Sequence, residues 1–283
     1  MGRVRRSVAL VACLLAAAGL LAGSRAAGGA PEGPGRPVRA LPVEVLQMNL
    51  CNSGIAGCYT GRSVATAAEV IREQRPDVVA LNEICEPDLA ALRPAMAEAF
   101  PGATVLATFQ PAYDRRTASD FQCGNGSRYG VGLLLRVPAP YQGHITYGGL
   151  FPDQDPNDPE ERAWACLRAE GAFYACTTHL AYTSNDVALT QCRYLFGTAI
   201  PAAHDGDGYL PTVVAADLNL PASGPVSVRS CLPAGYRLEG DGAVQHVVAT
   251  NDFGIRTSRL IEMHGSTDHP SLLVGLTGVT MHR

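Results

Sequence analysis

The chain has 283 residues, 22 arginines and no lysine, against 26 acidic side chains. Setting aside the four arginines of the first 27 residues leaves 18 basic against 26 acidic groups, a net charge of −8. That balance excludes tight nonspecific holding of polyanions, although a bound cation would supply local attraction to phosphate.

In chain order, Arg3, Arg5 and Arg6 precede an apolar core, Val8 to Leu21, and a small-residue end, Ala22 to Ala27. This pattern predicts a signal peptide over 1–27 and a secreted protein. The apolar core is too short and too rich in Ala and Gly to favour a permanent membrane span, a retained N-terminal anchor being the alternative. Residues 28–42, rich in Gly and Pro, read as a disordered lead-in. From Val43 to the C-terminus no stretch resembles a linker, so 43–283 reads as one domain, expected to be monomeric.

Cys13 falls in the signal, leaving Cys51, Cys58, Cys85, Cys123, Cys166, Cys176, Cys192 and Cys231. An even set in an exported chain argues for disulfides. Cys51–Cys58 would staple a loop and Cys166–Cys176 would cross a hairpin turning near Glu170-Gly171. Sequence alone leaves 105 pairings of eight cysteines; for the last four, Cys85–Cys123 with Cys192–Cys231 is the expected choice among three. Thiolate metal ligands are the rival reading, but the chain lacks Cys-x-x-Cys spacing.

Val43 to Asn49 alternates as a strand and is followed by a Gly/Ser/Asn loop. Thr66 to Gln74 has helical spacing and Asp77 to Glu83 reads as a buried strand. Asp88 to Phe100 reads as a helix that tolerates Pro94 only if it begins late. Thr104 to Thr108 is a strand, Pro111 to Arg128 a long polar loop, and Tyr129 to Arg136 a strand whose glycines allow close backbone approach. A strand near His144 to Tyr147 precedes Asp153 to Glu161, an acidic, Pro-rich stretch expected to be a solvated surface loop. Ala163 to Arg168 and Ala172 to His179 form a hairpin, Asn185 to Ile200 a helix, and Pro211 to Asp217 a buried strand. Ser223 to Leu232 is a short helix; Val244 to Thr250, Arg259 to His264 and Ser271 to Leu276 are the last strands.

Several of these strands run into a polar residue at one end: Asn49, Glu83, His179, and Asp217 with Asn219. Asp217 and Asn219, two apart on an extended chain, face the same way. Asp268-His269 stands just before the final strand. Taken singly, such residues are most often turn formers or hydrogen-bonded core groups. Where neighbouring strands run in opposite directions, however, a carboxyl end and an amino end share one rim, so all could line one pocket. Oxygen ligands of this kind suit Mg²⁺ or Ca²⁺, and two histidines suit acid/base work at phosphorus.

Six segments in order resemble the endonuclease/exonuclease/phosphatase superfamily, the fold of pancreatic-type deoxyribonuclease. They are Leu46-Gln47-Met48-Asn49, Asp77 to Glu83, Gly130 to Leu135, Thr177-Thr178-His179-Leu180, Val213 to Asn219 and Ser266-Thr267-Asp268-His269-Pro270. The resemblance implies an α/β fold, a four-layer α/β/β/α sandwich of two mixed β-sheets flanked by helices, with the site at one rim. It implies that Glu83 holds a divalent cation with Asn49 beside it. Asp217 would align or deprotonate water and Asn219 orient the substrate. His179 and His269 would be the acid/base and phosphate-stabilising imidazoles, with Asp268 fixing His269 or joining the metal shell. Mg²⁺ is the first expectation, with Mn²⁺ or Ca²⁺ as alternatives.

Two positions depart from the family pattern. Asn82 stands where a Gln usually precedes the metal-binding Glu, and Gln245 stands where an Asp usually pairs with a catalytic His. An amide orients a ring without stabilising its charged form equally. The expected function is a secreted, metal-dependent phosphoric-ester hydrolase, a nuclease or other phosphodiesterase using in-line water attack. The alternatives are a sphingomyelinase-like or phosphoinositide-phosphatase-like hydrolase and a noncatalytic binding module. Arg115, Arg116 and Arg128 are candidate contacts for nucleic acid; Gly148-Gly149-Leu150-Phe151 is a candidate apolar hairpin for lipid.

Overall fold

The computed structural model describes residues 42–137, 143–169 and 173–277. The signal over 1–27, the lead-in as far as 41 and the Glu170-Gly171 turn lie outside the described residues.

The elements in order begin with β1 (Val43–Asn49), α1 (Ser63–Gln74), β2 (Val78–Cys85) and α2 (Glu86–Ala99). Next come β3 (Thr104–Pro111), β4 (Tyr113–Asp114), β5 (Ser119–Asp120), β6 (Tyr129–Val137) and β7 (His144–Leu150). Then follow β8 (Glu160–Glu161), β9 (Ala163–Ala169), β10 (Tyr174–Thr178) and α3 (Asn185–Tyr194). A π-helical turn, Leu195–Ala199, leads into α4 (Ile200–Asp207), β11 (Thr212–Asp217) and α5 (Val228–Cys231). The chain closes with β12 (Tyr236–Gly240), β13 (Gln245–Thr250), β14 (Ile255–Ile261) and β15 (Ser271–Leu276).

Two six-stranded sheets, β14-β15-β1-β2-β6-β3 and β12-β13-β11-β10-β9-β7, carry the fold. Period-two alternation sorts the side chains between layers. Val45, Ala80 and Leu133 of the first sheet meet Leu167, Val213 and Val247 of the second in the central core. Leu46, Val79 and Leu134 point outward beneath Ile71 of α1 and Leu92 and Met96 of α2. On the other side Tyr174, Val214 and Val248 pack under Leu189, Phe196 and Ile200. The result is the expected α/β/β/α sandwich.

Each sheet has one parallel pair at its centre, β1 with β2 and β10 with β11. The carboxyl ends of both pairs emerge on one rim, which brings Asn49 beside Asn82 in one sheet and His179 beside Asp217 in the other. β15 runs antiparallel to β1, so its amino end reaches the same rim. The sheets are laced together there by the buried Asn82, whose Nδ2 donates to the Thr178 carbonyl at 2.8 Å.

All eight expected cysteines are disulfide-bonded, Cys51–Cys58, Cys85–Cys123, Cys166–Cys176 and Cys192–Cys231. Cys166 and Cys176 face each other directly across β9 and β10. Gly130 of β6 carries no side chain where β3 comes closest: a Cβ there would stand 2.1 Å from the Gln110 carbonyl.

Some expectations need correction. α2 does not begin late; it starts at Glu86, so Pro94 sits inside it. There its missing N–H leaves the Ala90 carbonyl without its helical partner. The helix expected over Asn185 to Ile200 is divided by the π turn and resumes through Asp207; Pro201, which cannot accept regular helical geometry against the preceding turn, stands at the junction. The strand expected over Arg259 to His264 lies earlier, at Ile255–Ile261, and β12 was not anticipated. The polar loop after β3 and the acidic stretch after β7 pair through a small three-stranded sheet, β5-β4-β8.

Candidate active site

Glu83 reaches the rim through a break in strand register. The pairing of β2 with β6 shifts between Leu81 and Ile84, and Glu83 takes a left-handed backbone, φ 54°. A bulge of this kind re-aims one side chain at a local energetic cost. Asn219, just past β11, has φ 47° and Cys51, just past β1, φ 44°. Of these residues in a sparsely populated region, Glu83 and Asn219 line one cleft.

That cleft, of about 510 Å³, is lined by all seven residues singled out in the sequence: Asn49, Glu83, His179, Asp217, Asn219, Asp268 and His269. The Asn49 amide nitrogen lies between two carboxylates, donating to Glu83 Oε1 at 2.8 Å and to Asp217 Oδ2 at 3.2 Å. Its oxygen accepts the Cys51 N–H at 3.1 Å. The Asn219 N–H donates to Asp217 Oδ1 at 3.1 Å, and its side chain donates to the Leu180 carbonyl at 2.9 Å. His179 Nε2 stands 4.0 Å from both Glu83 Oε1 and Asp217 Oδ2. His269 Nε2 is 3.9 Å from Asp268 Oδ2, beyond hydrogen-bonding distance. The loop bearing this pair is fastened by Thr60, which donates to the Ser266 carbonyl at 2.6 Å, and by Thr267, which donates to the Asn49 carbonyl at 3.0 Å.

Burial raises the Glu83 and Asp217 carboxyls above the ordinary range; for each, the hydrogen bond from Asn49 opposes the shift. For Glu83 the neighbouring carboxylates Asp217 and Asp268 push further upward. Burial holds His179 well below its ordinary value, with the positive charge of Arg162 adding to the effect. Asn49 presents its amide nitrogen here, so the half-buried Glu83 and the buried Asp217, mutually repelling and with the Asp268 carboxylate nearby, form a hard oxygen donor set. Such a set fits a divalent cation of the Mg²⁺, Mn²⁺ or Ca²⁺ kind. The Cys51 and Cys58 sulfurs lie near Asp268 but are bonded to each other, so they are not thiolate ligands.

Gln245 approaches the site through the backbone. Its Nε2 donates to the carbonyl of Pro270, the residue after His269, at 2.7 Å. Its Oε1 is buried without a hydrogen-bond partner among the described residues. His246 points away, with Nε2 2.8 Å from the Leu220 carbonyl.

The acidic stretch is not the solvated loop expected. Asp155 and Asp158 are buried, and Asp158, Glu160 and Arg162 line the cleft. Thr183 donates to the Asp155 carboxylate, and Arg115 donates to the Asp155 carbonyl at 2.8 Å. Burial pushes the Glu160 carboxyl up to about 7, with Arg162 opposing and Asp158 reinforcing the shift. Tyr129, also at the cleft, has its phenol held well above the usual range by burial. A signal for Arg162 was present: it directly precedes β9, whose amino end shares the rim with the carboxyl end of β10, just as His269 precedes β15.

The proposed substrate contacts fare differently. Arg115 pairs with Glu161, Arg116 with Asp114, and Arg128 with Glu86 and Asp120. Gly148 to Leu150 belongs to the edge strand β7, paired with β9, and Phe151 is buried against Tyr194; Leu150 is exposed, but the segment is not a hairpin.

The model of the Endonuclease/Exonuclease/phosphatase family matches residues 47–269, from β1 to the residue before Pro270. The chain belongs to this family. No curated protein matches it significantly in sequence. Among solved structures, the human Nocturnin catalytic domain with bound sulfate anion is similar, with a TM-score of 0.62, 15% identity, and coverage of 87% of this chain and 100% of that one. A family protein from Bacteroides thetaiotaomicron has a TM-score of 0.57 at 12% identity, covering 86% of this chain and 98% of that one. One from Beutenbergia cavernae has a TM-score of 0.58 at 18% identity, covering 84% and 72%. At these identities the likeness is one of fold.

Proposed function

We propose that this member of the endonuclease/exonuclease/phosphatase family is an exported, divalent-cation-dependent phosphoric-diester hydrolase. The observation that carries the reading is the convergence of Glu83, Asp217, His179 and His269, from four separate stretches of chain, on one cleft. Glu83 and Asp217 would hold the cation, with Asp268 and the Asn49 side chain in reach. When bound, the cation would neutralise charge on a phosphoryl oxygen and offset the repulsion between the carboxylates. Asp217, oriented by the Asn219 N–H, would align the attacking water and accept its proton. Asn219 would orient the ester. The two imidazoles would face the developing charge on phosphorus. Export is supported by the basic-then-apolar N-terminus and by four disulfides.

A small phosphodiester suits the cleft better than a long duplex. Arg115, Arg116 and Arg128 are each engaged with carboxylates, so a polyanion would have to break those pairs. The cleft also has apolar neighbours, the exposed Ile55 and Tyr182, against which a base or a hydrocarbon tail could lie. A panel of a bis-aryl phosphodiester, a dinucleotide, duplex DNA and sphingomyelin, each with and without chelator, tests the reading. Chelator-sensitive turnover of a small diester is expected. Absence of turnover on every member with Mg²⁺, Mn²⁺ and Ca²⁺ would reject it.

A further inference from the structure

Arg162 is a buried cation for which the reaction above has no task. Its side chain is 3% exposed. Nη2 donates to Asp158 Oδ2 at 2.8 Å, Nη1 lies 3.1 Å from Glu160 Oε1, and the guanidinium carbon is 5.5 Å from the centre of the Tyr182 ring. Held in this way, Nη1 also points at Nδ1 of His179, 3.0 Å away.

A guanidinium carries only donors and keeps its charge in proteins, so Nδ1 of His179 must offer its lone pair. A neutral imidazole has a single N–H, which must then be on Nε2, the nitrogen near Glu83 and Asp217 in the cleft. We infer that Arg162 is a positioning residue that fixes His179 as its Nε2–H tautomer, making His179 a hydrogen-bond donor to a phosphoryl oxygen. The donor role rests on the phosphodiester reading; the tautomer does not.

The first test is long-range proton–nitrogen correlation NMR on the full-length, cation-free, ¹⁵N-labelled protein, with His179 assigned from its loss in His179→Gln. A protonated Nε2 and an unprotonated Nδ1 are expected; a protonated Nδ1 overturns the inference, whatever the activity. Arg162→Lys, which keeps a donor, should retain this tautomer, whereas Arg162→Met, which offers Nδ1 no donor, should release it. If neither variant folds, the wild-type spectrum alone decides. In turnover, His179→Ala should fall by about 10²–10³-fold, and His179→Gln, which can donate but not relay a proton, should recover about tenfold of that loss. Equal losses in the two variants would overturn the donor role. A wild-type protein that hydrolyses no diester would reject the proposed function while leaving the tautomer to be judged by its spectrum.

Discussion

The side-chain oxygen of Asn82 accepts the backbone N–H of Asp217 at 2.9 Å, across the gap between the two sheets. The same side chain accepts from Gln47 Nε2 at 2.5 Å and donates to the Thr178 carbonyl. One buried amide therefore sets the separation of the strand ends that carry Glu83 and Asp217. Asn82→Ala should cost about 2–4 kcal/mol, because it leaves buried partners unpaired. Urea denaturation would measure this. A loss below about 0.5 kcal/mol would mean that water replaces the amide at no cost.

The carboxylates at the rim are suited to binding and costly to bury. Asp217→Asn should reduce turnover by about 10³-fold or more. Its cation-free stability should be no lower than wild type, while the thermal stabilisation by added Mg²⁺ or Mn²⁺ should shrink. Scanning calorimetry with and without cation checks both. A variant that binds cation as tightly as wild type would remove Asp217 from the donor set.

The contribution of Glu160 to stability should fall as pH rises through its titration. Its carboxyl, pushed up to about 7 from an ordinary 4.5, keeps its proton in the folded chain after the unfolded chain has lost it. Between those values the native state binds more protons, so unfolding becomes easier as pH increases. Glu83 and Asp217 are shifted in the same direction and add to the slope. Over about pH 5 to pH 8 His179, His204 and His246, held low by burial, push stability the other way, so the Glu160 contribution is read as the difference in melting temperature between cation-free wild type and Glu160→Gln, which should move against wild type as pH rises. A difference that does not change with pH would show that Arg162 keeps Glu160 ionised.

The disulfides should separate stability from function. Removing Cys192–Cys231, with a sequence separation of 39, should cost about 4 kcal/mol on chain entropy, and Cys51–Cys58, with a separation of 7, about 2.5 kcal/mol. The shorter bridge lies beside Asp268, so its Ala/Ala variant should lose more activity despite the smaller loss of stability. Paired melting curves and initial rates decide; the reverse ranking in rate would detach that loop from the site.

Pro94 breaks the ladder of α2 on its exposed face. Pro94→Ala should stabilise the protein by about 1 kcal/mol or more, the restored hydrogen bond outweighing the greater freedom of the unfolded chain. A destabilised variant would mean that the interrupted hydrogen bonding at Pro94 is needed for packing.

Residue type and spacing alone carried much of this molecule. Alternation in Val43 to Asn49 and the unbroken apolar runs within Asp77 to Glu83 and Pro211 to Asp217 mark the central strands, because a strand buried on both faces admits few polar residues and its end is where they reappear. Asn49, Glu83, His179 and Asp217 were legible for that reason, as was His269, from its place before the last strand. What needed the tertiary structure was any property set by a partner distant in the chain. Asp153 to Glu161 reads as a solvated loop because charge along a chain predicts exposure; folding instead buries Asp158 and Glu160 around Arg162 and brings that cation to His179. Helix α2 kept Pro94 because packing of Leu92 and Met96 on the sheet outweighs a local preference. The strand ends were thus local information, whereas the protonation states and pairings within the cleft depend on groups that only the packing of one sheet against the other brings together.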